Sequence, residues 1–153
     1  MKDDEYYMRQ ALLLAEEAYT RGEVPVGALL VGPGGVLARA YNRREATHDA
    51  TAHAEILALR EAGERLSSWR LLHTTLYVTL EPCPMCAGAL VLARVSRLVY
   101  GPRDTKGGAA GSLYNIPADP RLNHRVEVRE GVLADQCASL LKKFFAGRRS
   151  PLI

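Results

Sequence analysis

The amino-acid sequence predicts a three-layer α/β/α sandwich built on a mixed five-stranded sheet. Two observations lead there. Apolar side chains at three-and-four spacing mark amphipathic helices at both ends of the chain, over Asp4 to Arg21 and Ala134 to Gly147. Between them lie short β-branched and aromatic runs. The first two follow one another as a hairpin and the later ones alternate with helices, so antiparallel and parallel pairs must share one sheet.

Each element has its own signal. Met8, Ala11, Leu12, Ala15, Ala18 and Tyr19 form the buried stripe of the first helix, and Gly22 ends it. Pro25 to Val31 and Val36 to Tyr41 are apolar strands joined through Gly32-Pro33-Gly34-Gly35. A polar connection from Asn42 to Ala50 leads to Thr51, the expected N-cap of a helix from Ala52 to about Arg65. Thr75 to Leu80 is a third strand. Pro84 suits the first turn of the next helix, which runs to about Arg94 with Cys83 at its cap. Val95 to Gly101 is the fourth strand. A glycine-rich stretch, Lys106 to Ser112, and a loop through Pro117 and Pro120 precede a last strand at Val126 to Val132. The final helix sets Cys137, Leu140, Leu141 and Phe144 on one stripe.

With 153 residues and neither repeat nor linker, the chain reads as a single domain, 1–153, large enough to bury a core unaided. No apolar run approaches the ~20 residues that span a bilayer, and the acidic start lacks the stretch of a signal peptide. The expectation is a cytoplasmic protein without a membrane partner. Charge is unevenly placed. Residues 1–120 hold thirteen Lys/Arg against fourteen Asp/Glu, whereas residues 121–153 hold seven against three. That basic end suits a polyanion, although a solvated helix end is the plainer account.

Two short segments carry the chemistry. His53-Ala54-Glu55 and Pro82-Cys83-Pro84-Met85-Cys86 are each unremarkable alone: a histidine near a helix start, a cysteine pair open to metal, redox or packing roles. Together, one histidine and two cysteines give three protein ligands and leave the fourth tetrahedral position open to water, the arrangement of a catalytic rather than a structural zinc. The expected cofactor is one Zn2+ per chain. Two thiolates and a neutral imidazole offset the charge of a dication, so such a metal acidifies its water less than an all-histidine site would, and an adjacent base is needed. Glu55 is the candidate, taking a proton from water and returning it to a leaving amine. Alone, it would be an ordinary first-turn acid complementing the helix dipole. On one helix, residues two apart point about 200° apart, so His53 and Glu55 can converge only over an open helix end.

Thr51-Ala52-His53-Ala54-Glu55, the Thr79 to Ala87 segment around Glu81-Pro82-Cys83 and Glu23-Val24-Pro25-Val26-Gly27 resemble the cytidine-deaminase superfamily. Arg103-Asp104, Gly108 to Ser112 and Asn123-His124-Arg125-Val126 resemble, within it, the family of bacterial tRNA adenosine deaminases. The likeness runs from the first helix to Phe145. It implies a cytidine deaminase-like fold, a homodimer, and conversion of the wobble adenosine of an arginine tRNA anticodon to inosine. It further implies that Asn42 meets the flipped base and that the Asp104 loop and the last helix touch the anticodon arm.

An anticodon loop offers an unpaired base at little unstacking cost. Main-chain groups of Ala54 and Pro82 are expected to orient it beside Asn42. His124 and Arg125 are candidate phosphate contacts, Lys106 is a further candidate for binding substrate, and Asp104 a candidate acceptor for a ribose 2′-hydroxyl. The run Lys142, Lys143, Phe144, Phe145, Arg148, Arg149 interleaves cations with aromatics, which suits RNA, with Phe144 and Arg148 as the named candidates. For Phe144 a place in the core stripe is the competing reading, and for His124 an ordinary polar turn. Three other functions stay open at this point. A guanine or cytosine deaminase would share the zinc site. A non-catalytic zinc module binding RNA or protein would need a fourth ligand such as Cys137 or His48. A thiol–disulfide oxidoreductase would cycle the two cysteines.

Overall fold

The computed structural model describes residues 2–148; Arg149 lies outside them. The elements follow in the order α1 (Asp4–Thr20), β1 (Gly27–Gly32), β2 (Gly35–Tyr41), α2 (Arg44–Thr47), α3 (Ala54–Leu66), β3 (Thr75–Val78), α4 (Pro84–Leu92), β4 (Arg97–Tyr100), β5 (Glu127–Arg129) and α5 (Ala134–Ala146), with a 3-10 turn at Ile116–Ala118 before β5. The sheet is five-stranded in the order β2-β1-β3-β4-β5. β1 pairs antiparallel with β2 and β3, and β3 with β4 and β4 with β5 run parallel.

Strand alternation sends successive side chains to opposite faces, and two cores result. Ala28, Leu30, Leu76, Val78, Leu98 and Tyr100 face α3 and α4 in the larger one. Leu29, Tyr77 and Val99 face α1 and Cys137 of α5 in the other. These are the three layers the periodicity predicts. α1 lies close on β1 at Gly27, where a Cβ would collide with the Ala11 carbonyl and come within 2.6 Å of the Ala15 nitrogen.

A charged lock ties α1 across the sheet. Asp4, 8% exposed, accepts both guanidinium nitrogens of Arg97 at 2.7 Å, one of Arg129 at 2.6 Å, and the Tyr77 hydroxyl at 2.8 Å.

Several bounds differ from the sequence expectation, β1 and β4 among them, which begin at Gly27 and Arg97 rather than at Pro25 and Val95. The 42–50 connection holds the short helix α2. α3 begins at Ala54 with His53 as N-cap, not at Ala52 behind Thr51, whose hydroxyl donates to Asp49 instead. β3 stops at Val78. β5 keeps three residues of the seven expected, because after Arg129 the chain leaves the ladder and the Gly131 and Val132 amides turn back to the carbonyls of Gly101 and Tyr100.

Candidate metal centre and surrounding cavity

The functional side chains gather at the N-terminal ends of α3 and α4. His53 is extended, with φ −73° and ψ 150°, and Glu55 sits in the first turn of α3. His53 is thus off the helix, which removes the opposed directions that two positions on one helix would impose. Cys83 is the N-cap of α4, Pro84 fills the first position where no N–H is needed, and Cys86 lies in the first turn. Both sulfurs face the positive end of a helix, where thiolates are favoured.

His53 Nδ1 lies 3.6 Å from Cys83 Sγ and 3.5 Å from Cys86 Sγ. A tetrahedral zinc with Zn–S of about 2.3 Å and Zn–N of about 2.0 to 2.1 Å requires a nitrogen–sulfur edge of about 3.6 Å. The donor set fits zinc in both chemistry and spacing. His53, Cys83 and Cys86 form a cluster whose ligand atoms lie within 4.8 Å of one another, and neither Cys137 nor His48 belongs to it. Cys137 is packed in the core on the other face of the sheet, and His48 is an exposed left-handed C-cap of α2. A structural zinc module with either as fourth ligand is therefore not what the described residues form.

The Cys86 thiol's hydrogen bond draws Cys83 down to about 4, with His53 assisting against burial, and the same contact together with burial pushes Cys86 up. The Cys83 contact raises His53. Binding a dication displaces the protons of its ligands. Glu55 is 4% exposed, and its burial raises its carboxyl above the ordinary value.

A cavity of about 640 Å³ opens over this cluster, lined by His53, Ala54, Glu55, Asn42, Asp104, Lys106 and by further residues from three loops, α2 and α5. Two buried carboxylates fix its walls. Glu23 accepts the amides of Glu45 and Ala46 at 3.0 and 2.8 Å, which holds the segment carrying Asn42 and Arg44. Asn42 is itself locked, its amide donating to the Val24 carbonyl and accepting from the Arg44 amide. On the opposite side Glu81 holds the loop that carries Arg103 to Lys106.

Of the sequence candidates, His53, Glu55, Ala54, Asn42, Asp104 and Lys106 line this cavity, and Cys83 and Cys86 complete the metal cluster. Five do not line it. The Pro82 carbonyl is taken by the Ala109 amide. The His124 ring binds the Val95 carbonyl at 2.7 Å, the structural role of a turn residue, and Arg125 beside it is exposed. Phe144 is 7% exposed against Tyr19, and Arg148 stacks over its ring at 4.7 Å. The aromatic that reaches the cavity is Phe145, 54% exposed, one position around α5 from the buried stripe. Arg44 and Arg103 also line it. The helical period separates Phe144 from Phe145 in the sequence itself, whereas Arg44 carries no signal beyond its place two residues after Asn42.

Comparison with known proteins fits this geometry. The model of the cytidine and deoxycytidylate deaminase zinc-binding region matches residues 1–102. The chain is 51% identical over 145 residues to the tRNA-specific adenosine deaminase of Bacillus subtilis (strain 168), covering 95% of this chain and 90% of that one. It is 48% identical over 147 residues to the tRNA-specific adenosine deaminase of Haemophilus influenzae, covering 95% and 85%. A solved structure from work on A-to-I editing by tRNA:A34 deaminases superposes with a TM-score of 0.86 at 46% identity, over 89% of this chain and 99% of that one. A guanine deaminase from Nitrosomonas europaea gives 0.82 at 26% identity, over 95% and 86%. The chain belongs to the cytidine and deoxycytidylate deaminase zinc-binding family, together with the tRNA-specific adenosine deaminases that match it along almost its whole length.

Proposed function

We propose that this protein is a zinc-dependent hydrolytic deaminase that converts the wobble adenosine of a tRNA anticodon to inosine. The observation that carries this reading is the cluster of His53, Cys83 and Cys86 at zinc-binding spacing, with the buried Glu55 on the same cavity. Near-full-length similarity to tRNA-specific adenosine deaminases supports the substrate over a free guanine or cytosine.

His53 through Nδ1 and the two sulfurs would hold one zinc, which when bound supplies a Lewis acid that makes water a better nucleophile at neutral pH. Water adds to the purine carbon bearing the amine, the carbon–nitrogen bond breaks, and ammonia leaves. Glu55 moves the protons, from water to the ring nitrogen and then to the departing amine. Burial raises the carboxyl above its ordinary value, which favours the protonated form it must carry between the two transfers. Asn42 retains one free N–H and one lone pair for the base edge, aimed by its two main-chain bonds. Ala54 and Leu80 wall the pocket, and Phe145 offers a face for a stacked nucleotide. Arg44, Arg103 and Lys106 stand at the cavity for phosphates, with Asp104 as the acceptor for a ribose hydroxyl.

The reading extends to an arginine tRNA as substrate, to a cytoplasmic protein and to a homodimer. Leu66, Trp69 and Leu92, exposed around the ends of α3 and α4, support self-association. Among the described residues no helix is long and apolar enough to cross a membrane.

The test is incubation of zinc-loaded protein with tRNA, read as inosine at the wobble position. In Glu55→Ala, turnover falls about a thousandfold or more while one zinc per chain is retained, since the carboxylate serves more than one proton transfer. Equal activity of the variant, or turnover of free guanine in preference to RNA, overturns the assignment.

A further inference from the structure

Glu81 lies next to the metal-binding segment yet does not line the cavity, and it is 2% exposed. Its carboxylate accepts the amides of Asp104 at 2.9 Å, Ala110 at 2.9 Å and Ser112 at 3.0 Å, and also the Ser112 hydroxyl. All four donors come from one loop. The main chain reinforces the link: the Glu81 amide donates to the Pro102 carbonyl and the Ala109 amide to the Pro82 carbonyl. A Cβ on Gly108 would overlap the Glu81 carboxylate, so glycine is what lets the loop wrap it closely. The far side of the loop is tied by the Tyr100 hydroxyl, placed between the Ala110 carbonyl and Glu130, and by Arg103, which also binds Glu130 at 2.9 Å.

We infer that Glu81 is a positioning residue for the polynucleotide, its carboxylate fixing the Arg103–Lys106 wall of the cavity against the Cys83 end of the metal centre. This rests on the reading of the cavity as an RNA site. A buried anion is costly unless its lone pairs are met, and here they are met by the Asp104 amide of the wall and by Ala110 and Ser112 of the same loop. The loop carries Gly107, Gly108 and Gly111, which by themselves would leave it a broad ensemble. An anchored wall is ordered before substrate arrives, so binding does not bear that entropy cost. The effect therefore falls on substrate affinity, while Cys83, Cys86 and Glu55 keep their own supports in α3 and α4. Only an acceptor-only group serves, because a carboxamide turns an N–H toward the incoming N–H groups.

The experiment compares zinc-loaded wild type, Glu81→Gln and Ser112→Ala on an anticodon stem-loop RNA, with amide hydrogen exchange on each protein. In Glu81→Gln, KM rises about tenfold while kcat stays within about threefold and zinc content is unchanged. Exchange quickens at Asp104, Ala110 and Ser112 but not in α3 or α4. Ser112→Ala shifts KM in the same direction by a smaller factor, and it decides the matter if Glu81→Gln does not fold. An unchanged KM despite faster exchange, or a loss of zinc and kcat in place of the KM effect, overturns the inference. A wild type that leaves the RNA unmodified sinks the functional reading instead, and RNA binding by the two variants, measured by fluorescence anisotropy, then still tests the anchored wall.

Discussion

Two adjacent phenylalanines separate stability from recognition. Phe144 is packed on Tyr19 and Phe145 stands over the cavity. Phe144→Ala should cost about 3 kcal/mol of folding stability and leave the KM for RNA unchanged in the folded fraction. Phe145→Ala should leave the thermal midpoint in place and raise KM about tenfold, the worth of one lost stacking contact. Melting curves beside steady-state kinetics check both, and a reversed pattern would mean α5 is rotated relative to this structure. The stripe of Cys137, Leu140, Leu141 and Phe144 already pointed inward in the sequence. The attraction of an aromatic among cations drew Phe144 into the RNA set, and the period of the helix excludes it. His53 and Glu55 were legible as a pair, but their geometry was not. Thr51 looks like a cap, and only the structure shows its hydroxyl spent on Asp49, so that His53 becomes the cap and is freed to turn away from the helix.

At the scale of elements, the lock on α1 makes stability depend on acid. Asp4 is held well below its ordinary value of 3.8, first by the Arg97 hydrogen bonds, against the opposing effect of burial. A carboxyl depressed by folding contributes stability that is complete above about pH 5 and fades as pH falls through 3.8 toward the lower folded value. Asp4→Asn should therefore lower stability at pH 7 by about 2 kcal/mol, discounted for the half-exposed Arg129. That corresponds to a fall in Tm of about 5 °C. The gap between variant and wild type should close between pH 5 and 2 in urea titrations, and a gap independent of pH would show that the carboxylate is not the source. Nothing in the sequence pairs Asp4 with Arg97 and Arg129. Such long-range contacts follow from strand order, which periodicity does not supply. The partners of Glu23 and Glu81 are hidden from the sequence for the same reason: an isolated glutamate gains its partners only when distant loops are brought to it.

For the whole molecule, the zinc ligands join the start of α3 to the start of α4 across the edge of a sheet whose two core clusters contain none of them, although Cys86 is itself buried. Removal of metal by a chelator should leave the far-UV circular dichroism close to native. A dication present at a thousand times its dissociation constant adds about 4 kcal/mol, so Tm should fall by about 10 °C on removal and return when zinc is restored. A Tm indifferent to chelation would mean that no metal is held there. Layers, the four longer helices and the mixed character of the sheet were legible because helical-period, hairpin and β-α-β signals are local. The strand order and the cavity walls were not, because they arise from contacts between residues far apart in the chain.

The two outer strands of the sheet are both guarded. Along β2, Arg65 of α3 reaches across to donate to the Leu37 carbonyl at 3.0 Å, occupying a main-chain acceptor that would otherwise face outward. β5 is only three residues long and exposes Glu127 and Arg129. An incoming extended peptide thus meets a blocked acceptor on one border and a short, charged stub on the other, which disfavours growth into cross-β fibrils. The exposed apolar side chains of Leu66 and Leu92 lie instead on the helices that flank the sheet, away from either border.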